Sequence, residues 1–497
     1  MTTPPPRVHD IDRQRQDASP YIDALVEFVD IDRARWGIPG HQGSREAQPM
    51  LADYLGDIAL RRDFQTMIDG IDIGPDNALD KSLALAAEAW GAKRTWFLTN
   101  GSSQGNITAG LAIAGLRGSL VAQRSVHSSV IDALALSGLD ATFVAPDVDL
   151  ELGISHTVTP ARLDAVLTEN PTARAAIVVT PSYFGACADV AALAEVAHRH
   201  NAALIVDEAW GAHLGFDPGL PMNAVRLGAD LVVASMHKLG GSLGQTALLH
   251  LGHGPRAQEL EPFVVKSLRT TASTSESTLL LASLDIARRQ IAAHGHERIP
   301  HSLASASRLR ERITSDGRFV DATERILSYP SVIDIDPLRI VIDTRSGGIS
   351  GHEARHLLYA EHGHHLELST DSVVVAIIGA GVALDADALA DALLALPRTE
   401  SGHADIIALP EAGPRRMTVR EAYFAASEII DSAAAIGRIS ADSVAAYPPG
   451  IPNLMPGEEI TAENLDFLQK TAAAPFGHAR GALETDMSRV RVVRESS

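Results

Sequence analysis

The sequence predicts an α/β protein in which helices cover both faces of a mostly parallel mixed sheet, followed by a smaller α+β domain. Three nearly uncharged runs, at residues 175–179, 202–206 and 231–234, are typical of strands buried on both faces. Segments of helical period separate these runs, and Thr159 and Asp189 are suited to cap two of them. This alternation of strand and helix favours a parallel sheet with crossover helices.

The pattern changes after about residue 300, where the alternation is less regular. Two strands and two helices are expected there, at residues 338–343, 372–378, 351–362 and 385–396.

These changes suggest three parts of the chain. We expect an N-terminal arm over residues 1–38, a large domain over 39–300 and a small C-terminal α+β domain over 301–497. The proline-rich stretch 447–452 is expected to form a loop without regular structure.

Composition narrows the possible functions. The 497 residues carry a formal net charge of −20, which disfavours sequence-independent binding to nucleic acids or anionic membranes. The single cysteine, Cys187, excludes an intramolecular disulfide framework and a multi-cysteine metal site, so no metal is expected. Neither a secretory signal nor a membrane-spanning run is recognisable, and the expected location is the cytoplasm.

The first candidate motif is Ser235-Met236-His237-Lys238, which follows a predicted buried strand and precedes a glycine-rich run. Desolvation at a strand end disfavours the ammonium form of lysine, and a neutral amine is the form that attacks an aldehyde to give a Schiff base. An ordinary surface lysine is the competing interpretation of this tetrapeptide.

The second motif is Asp207-Glu208-Ala209, at the carboxyl end of another predicted strand, where open α/β sheets bind ligands. A carboxylate there needs a cationic partner, such as the protonated nitrogen of a pyridine ring. An aspartate that caps the next turn is the competing interpretation.

The third motif lies between a predicted strand at residues 95–98 and a helix through residues 107–116. Gly101, Ser102 and Ser103 can form a phosphate cradle from backbone N–H groups and hydroxyls at a helix start. The motif lacks the lysine of a nucleotide P-loop, and a purely structural Gly-Ser turn is the competing interpretation.

The fourth motif contains His127, just past another short strand. A polar loop histidine is its competing interpretation. All four motifs follow strands of the same predicted sheet, so they are expected to converge on one sheet edge.

Taken in order, these motifs resemble the Orn/Lys/Arg decarboxylase family, pyridoxal 5′-phosphate (PLP) enzymes of the aspartate aminotransferase fold. The likeness begins at Pro-Gly-His-Gln-Gly (residues 39–43) and extends through residues 447–452 to Pro-Gly-Glu (residues 456–458). The resemblance implies PLP fold type I, a PLP cofactor and decarboxylation of an amino acid. A basic substrate (lysine, ornithine or arginine) is implied, with an amine and carbon dioxide as products.

The resemblance also implies roles for single residues. Lys238 would form the Schiff base with the cofactor, Asp207 would pair with the pyridine nitrogen, and His127 would stack on the ring. The remaining implied cofactor contacts are Gly101, Ser102, Ser103, Ser235 and His237 around the phosphate, together with Ala209, Trp210 and Thr274.

Thr274 belongs to a Thr/Ser-rich loop, residues 270–277, that resembles a loop lent to the neighbouring subunit's site. This implies a homodimer. Because the first shared element is already reached by residue 39, a dimer or a dimer of dimers is expected.

Some positions depart from the family pattern. Phe184 stands where an acidic residue is expected, so the substrate pocket is expected to be altered. Glu276 and Glu458 are candidates to bind a cationic substrate side chain, and Arg420 is a candidate to bind a carboxylate.

Two alternatives remain open from the sequence. The first keeps PLP but changes the reaction to transamination, aldol cleavage or oxidative deamination. The second is a non-catalytic regulatory homologue, which the presence of Lys238 and Asp207 disfavours.

Overall fold

A seven-stranded sheet forms the centre of the large domain in the computed structural model, which describes residues 11–31, 34–398, 410–447, 451–473 and 478–495. Its strands, in spatial order, are Arg94–Leu98, Ala247–Leu251, Leu231–Ala234, Ala203–Asp207, Ala173–Val179, Ser119–Gln123 and Ala141–Val144. Only Ala247–Leu251 is antiparallel to its neighbours within this sheet; the other pairings are parallel. The predicted mostly parallel sheet is confirmed.

Helices pack on both faces of this sheet, as predicted. The helices of this region are Ala78–Trp90, Gly101–Ala114, Ser128–Ser137, Pro160–Glu169, Val190–Arg199 and Ala257–Thr271. On one face Ile113, Leu134 and Val264 join a common apolar cluster, and on the other Leu163 and Leu193 do so. Apolar burial on both faces explains why the strands are nearly uncharged.

Both predicted helix caps are present. The Thr159 side chain accepts a hydrogen bond from the Arg162 backbone N–H, and the Asp189 side chain accepts one from Ala192. Each cap satisfies one of the N–H groups that a helix start leaves without a partner.

The N-terminal segment packs on the large domain. Its helices are Arg13–Gln16, Pro20–Asp30, Pro49–Leu55 and Asp57–Arg62. Tyr21 and Leu25 are buried, and the fully buried Arg288 donates to the Ala18 carbonyl at 2.6 Å. Arg288 belongs to the 39-residue helix Thr278–Asp316, which continues through residue 300 into the following region.

An antiparallel sheet forms the centre of the next region. Its strands, in spatial order, are Val320–Asp321, Arg339–Asp343, Val373–Ile377 and Leu368–Ser369, and its helices are Thr323–Leu327, Gly351–Ala360 and Ala386–Ala395. Leu309, Ile342 and Leu393 belong to its apolar core. Two short strand pairs lie where this region meets the large domain. Ala186–Cys187 pairs with Asp334–Ile335, and in the pair Val148–Asp149 with Ile154–Ser155 the Asp149 carboxylate accepts a hydrogen bond from Arg325. The predicted smaller α+β region is confirmed.

Residues 410–495 have an apolar core of their own, which includes Leu454, Leu468 and Val492. Their strands are Ser427–Asp431 with Arg489–Val493, and Val444–Tyr447 with Pro452–Leu454 and His478–Arg480; their helices are Val419–Phe424 and Ala462–Ala473. We call this part the C-terminal unit. The exact domain limits remain a prediction.

The proline-rich stretch is more regular than expected at its two ends. Residues 448–450 lie outside the described residues, but the flanking strands Val444–Tyr447 and Pro452–Leu454 pair with each other. Pro452 is accommodated because its strand lies at the edge of the three-stranded sheet, where not every N–H is needed. Among the described residues, no helix is both long enough and apolar enough to cross a membrane.

Candidate active site

The candidate active site lies at the sheet edge where the parallel strands end. Four strands lead into the predicted motifs: Arg94–Leu98 into residues 99–106, Ser119–Gln123 into 124–129, Ala203–Asp207 into 208–210, and Leu231–Ala234 into 235–238. These four strands run in one direction. Three of them belong to the parallel part of the sheet, and Arg94–Leu98 is parallel to Leu231–Ala234 because the antiparallel strand Ala247–Leu251 lies between the two. The topology therefore brings all four motifs to one edge.

Asp207 is buried at the last position of its strand, and both of its carboxylate oxygens accept hydrogen bonds from uncharged donors. Oδ2 accepts from Asn106 Nδ2 at 2.9 Å, and Oδ1 accepts from the Ala209 backbone N–H at 3.1 Å. Asn106 Nδ2 also donates to Ser129 Oγ at 3.0 Å, and this oxygen lies 2.9 Å from His127 Nδ1. A continuous chain of hydrogen bonds thus links Asp207 to His127.

His127 caps the helix Ser128–Ser137 with its own side chain. Nδ1 accepts a hydrogen bond from the Ser129 backbone N–H at 3.2 Å, which places the proton of a neutral imidazole on Nε2. Burial lowers the pKa of His127 below its usual value, although the nearby Asp207 charge acts in the opposite direction. The neutral form is therefore favoured near pH 7.

Lys238 follows the strand Leu231–Ala234, and its amine lies against an aromatic face. Nζ is 3.8 Å from the centroid of the Trp210 ring. Burial lowers the pKa of Lys238 to about 8, with the Asp207 charge again acting in the opposite direction. About a tenth of the amine is then neutral at pH 7, which is the form that reacts with an aldehyde.

The Gly-Ser turn meets the lysine motif across the sheet edge. The hydroxyl oxygens of Ser102 and Ser235 are 2.6 Å apart, although these residues are 133 positions apart in the chain. Gly101 has a φ of +71°, a value that favours glycine, and its N–H donates to the Gln245 carbonyl at 2.8 Å. Ser103 is exposed beside them.

The helix that was expected to run through residues 107–116 begins earlier, at Gly101. Ser102 and Ser103 consequently lie in the first turn of the 14-residue helix Gly101–Ala114, whose N–H groups and positive dipole end favour an anion. His237 is nearby on the lysine motif, with Nδ1 2.8 Å from the Thr246 carbonyl oxygen.

Trp210 is buried between the lysine motif and the small α+β region. Tyr183 packs edge-on against it, with ring centroids 5.7 Å apart at an interplanar angle of 62°. The Arg339 guanidinium lies over the same indole, with Cζ 4.3 Å from the ring centroid. Ala209, between Asp207 and Trp210, is partly buried.

The C-terminal unit forms one wall of the site. A cavity of about 240 Å³ lies beside His127, and its walls include Pro452 and Arg480. Glu458 forms a buried ion pair with Arg124, with Nη2 and Oε2 2.7 Å apart. Arg124 also donates to the Pro452 carbonyl at 3.2 Å, so the unit is attached next to the His127 motif.

The three charged candidates for substrate binding take part in other contacts. Glu458 is held in the ion pair just described. Glu276 accepts a hydrogen bond from Thr99 Oγ1 at 3.0 Å, and burial raises the pKa of its carboxyl group. Arg420 donates to two carbonyls of the last turn of the helix Ser128–Ser137, at 2.9 and 2.8 Å, and so acts as a helix cap.

Phe184 and Thr274 lie apart from the groups brought together at the sheet edge. Phe184 is 1% exposed and belongs to an apolar cluster with Ala186 and Val341, which gives it a packing role rather than a place on the pocket surface. Thr274 is exposed on the loop between the helices Ala257–Thr271 and Thr278–Asp316. Its contribution to a neighbouring subunit's site remains a prediction.

Three residues that hold the site together by hydrogen bonds were not singled out from the sequence. Asn106 and Ser129 lie inside two of the motifs, and both are buried polar residues, which the sequence alone does not reveal. Arg339 also has no local signal, since it begins a strand of the small region and reaches the site only through the tertiary fold.

The polar groups at this edge of the sheet fit PLP chemically. A helix start with two hydroxyls suits a phosphate, and the buried Asp207 carboxylate suits a protonated pyridine nitrogen. The Lys238 amine, with its lowered pKa, suits attachment to an aldehyde.

Comparison with solved structures places the fold in a known class. The constitutive lysine decarboxylase of E. coli matches 96% of this chain and 82% of its own, with a TM-score of 0.78 and 19% identity. An SPT structure containing PLP matches 76% of this chain and 84% of its own, at a TM-score of 0.51 and 14% identity. The fold is therefore PLP fold type I, as predicted.

Sequence comparison identifies the family. The Orn/Lys/Arg decarboxylase major domain matches residues 19–338, and the C-terminal domain of the same family matches residues 411–476. An arginine decarboxylase of Bacillus subtilis (strain 168) is 33% identical over 97% of this chain and 99% of its own length. The chain belongs to the Orn/Lys/Arg decarboxylase family, which confirms the predicted enzyme class, an amino acid decarboxylase.

Proposed function

We propose that this protein is a PLP-dependent decarboxylase of a basic amino acid, with arginine the first substrate to test. The observation that carries the proposal is the meeting of Lys238, Asp207 and the Ser102–Ser235 pair at one sheet edge of a family member. The full-length similarity to the arginine decarboxylase of Bacillus subtilis favours arginine among the basic amino acids.

Different residues of the chain would attach the cofactor, pair with its charge and orient it. When bound, PLP supplies an electron-accepting ring that stabilises the negative charge left on the substrate α-carbon as carbon dioxide departs. Asp207 would hold the ring nitrogen protonated, and Lys238 would hold the cofactor covalently. Ser102, Ser235 and the N-terminus of Gly101–Ala114 would anchor the phosphate.

His127 and Lys238 are the two titratable groups suited to proton transfer beside the substrate. Asn106 donates to both Asp207 and Ser129, and the Ser129 contact with Nδ1 fixes the His127 ring, so its Nε2–H faces away from the helix cap. The C-terminal unit, through Pro452 and Arg480, lines the cavity on the His127 side of the site.

An acidic group near Lys238 supports a cationic substrate. The charge of Glu367 influences both Lys238 and Arg339, opposing the lowering of both pKa values, and Glu367 is exposed. Glu367 is the acid that we propose for contact with the positive side chain of the substrate. Glu367→Gln should raise KM for arginine more than it lowers kcat.

The reaction is tested with purified protein supplied with PLP. Arginine, lysine, ornithine and glutamate are offered separately, and carbon dioxide and the organic product are both quantified. We expect equal amounts of carbon dioxide and the matching amine from a basic substrate, and none from the Lys238→Ala variant. Formation of a keto acid or an aldehyde without carbon dioxide would replace decarboxylation by another PLP reaction.

We also propose that the protein works as a homodimer in the cytoplasm, with the loop around Thr274 completing the partner's site. Large apolar side chains are exposed on the segment 36–54: Trp36 is 94% exposed, Met50 85% and Tyr54 86%. The chain continues from this segment to Gln65, which pairs with Ser277 at the end of the Thr274 loop. Such a patch is typical of a subunit interface.

Subunit complementation tests this arrangement. Lys238→Ala and a loop variant, Thr274→Ala with Ser275→Ala, are each assayed alone and after mixing under conditions that exchange subunits. If the loop serves the partner's site, mixed dimers contain one intact site and regain activity that neither variant has alone. Sedimentation of a monomer at assay concentrations, or no recovery after proven exchange, would rule it out.

A further inference from the structure

Arg339 joins the small α+β region to the candidate active site. It is fully buried at the start of the strand Arg339–Asp343. Nη1 donates to the carbonyl oxygens of Ser182 and Tyr183, each at 2.8 Å, and Nη2 donates to the Trp210 carbonyl at 3.1 Å. Three backbone carbonyls from two separate loops are thus held by one guanidinium group.

The same guanidinium group packs on the Trp210 ring. Arg339 Cζ is 4.3 Å from the ring centroid, and Lys238 Nζ is 3.8 Å from it. One indole therefore contacts two basic side chains. The guanidinium stays charged at any physiological pH, whereas the amine can lose its proton.

A buried acid keeps Arg339 in place. Asp336 Oδ2 lies 3.4 Å from Arg339 Nε, and Asp336 Oδ1 lies 3.1 Å from His213 Nε2. Asp336 and His213 are fully buried. Although burial alone would raise it, the His213 and Arg339 charges hold the pKa of Asp336 below its usual value, so the carboxylate remains an anion beside the guanidinium.

We propose that Arg339 is a positioning residue, which holds the Trp210 indole against the Lys238 amine and adds a fixed positive charge beside that amine. The proposal rests on the proposed function of Lys238 as the cofactor lysine. Its consequence is that a residue of the neighbouring region adds to the burial that favours the neutral, reactive form of the lysine.

The charges around Lys238 act in both directions. Burial is the main cause of its lowered pKa, and the Arg339 charge adds to it, while Asp207 and Glu367 oppose it. His127 also faces the lysine and is favoured in its neutral form. Removing the Arg339 charge should therefore raise the pKa of the Lys238 amine.

The test measures the amine directly in the full-length protein without cofactor. Lys238 is labelled with acetic anhydride between pH 6 and 10, and the extent of labelling is read by mass spectrometry. We expect Arg339→Met to lower labelling at pH 8 severalfold, because its midpoint moves up by about one unit. Arg312→Met, which removes an arginine paired with Asp387 and Asp391 in the same region, should leave labelling unchanged.

The positioning part is tested by fluorine NMR of fluorotryptophan-labelled protein, with the Trp210 signal assigned by Trp210→Phe. Arg339→Lys keeps a charge but cannot reach the three carbonyls together, so it should shift the Trp210 signal and change labelling less than Arg339→Met. If Arg339→Met does not fold by circular dichroism, Arg339→Lys decides the question alone.

An unchanged Trp210 signal in folded Arg339→Lys, or unchanged Lys238 labelling in folded Arg339→Met, would overturn the proposal. A higher KM for the amino acid with unchanged labelling would assign Arg339 to substrate binding instead. Failure of the proposed function would be seen separately, as wild-type protein that binds no PLP, because the labelling experiment contains no cofactor.

Discussion

The edge of the seven-stranded sheet and the C-terminal unit both border the His127 cavity, but they are built differently. At the sheet edge, buried polar groups such as Asp207 and Asn106 bond to one another within a few residues of strand ends. The C-terminal unit is attached by charged contacts, above all the Arg124–Glu458 ion pair. In the function proposed above, the sheet edge would perform the chemistry and the C-terminal unit would enclose it.

The largest expected effect separates two adjacent acids of the sheet edge. Asp207→Asn should reduce kcat roughly a thousandfold, about 4 kcal/mol, because the ring nitrogen loses its anionic partner. Glu208→Gln is the matched control, because burial raises the pKa of Glu208 well above its usual value and so favours its uncharged form. Steady-state kinetics of the two folded variants checks this, and equal losses in both would break the assignment.

The next effect concerns the attachment of the C-terminal unit. Glu458→Gln should destabilise the protein by about 3 kcal/mol, because Arg124 is left as a buried charge without its anion. Glu459→Gln, the adjacent acid in an exposed pair with Arg416, should cost no more than about 1 kcal/mol. Chemical denaturation compares the two variants, and similar midpoints would show that the buried pair does not hold the unit.

Lowering the pH should destabilise the large domain more than the C-terminal unit. Burial lowers the pKa of His156 to about 4 and that of His250 to about 3, whereas His478, the one histidine of the described C-terminal unit, is exposed. In the unfolded chain both imidazoles bind a proton from about pH 6.5 downward, whereas in the folded protein they stay neutral. The free energy of unfolding therefore decreases as pH falls from 6.5 toward 4. Each buried histidine should cost about 2 kcal/mol at pH 5.

Hydrogen–deuterium exchange at pH 7 and pH 5, corrected for intrinsic rates, checks this. Protection should decrease first in the sheet around Thr95, which contacts His250 Nδ1 at 2.8 Å, and later in the C-terminal unit. Replacing His478 by Gln should not alter the pH dependence. Simultaneous loss in both regions would mean that they unfold as one unit.

The smallest effect is expected at Arg420, which caps the helix behind His127. Arg420→Ala should lower stability by about 1 kcal/mol and leave KM unchanged, because its two hydrogen bonds go to helix carbonyls. Kinetics with arginine and a thermal melt are sufficient to measure both. A large rise in KM would return Arg420 to the substrate-binding residues.

The sequence predicted the sheet well because its signals are local. The uncharged run at residues 231–234 and the caps Thr159 and Asp189 are each defined by a few neighbouring residues, and the structure has them at those positions. The helix start was misplaced by six residues, since glycine and serine at Gly101 and Ser102 are poor helix formers, and here they serve as a first turn.

The contacts between distant segments could not be predicted in the same way. Arg339 and Glu458 gain their roles from partners that are 157 and 334 positions away in the sequence, and no periodicity or spacing predicts such pairs. Phe184 illustrates the opposite error: a departure from a family pattern suggested a changed pocket, whereas the side chain fills a core that only the fold defines.

The Arg124–Glu458 pair joins residues 334 positions apart, and this has a consequence for biosynthesis. During synthesis, Lys238, Asp207 and the Gly-Ser turn leave the ribosome long before Glu458, which attaches the C-terminal unit. The large domain can therefore begin to fold before the C-terminal unit closes the cavity beside His127.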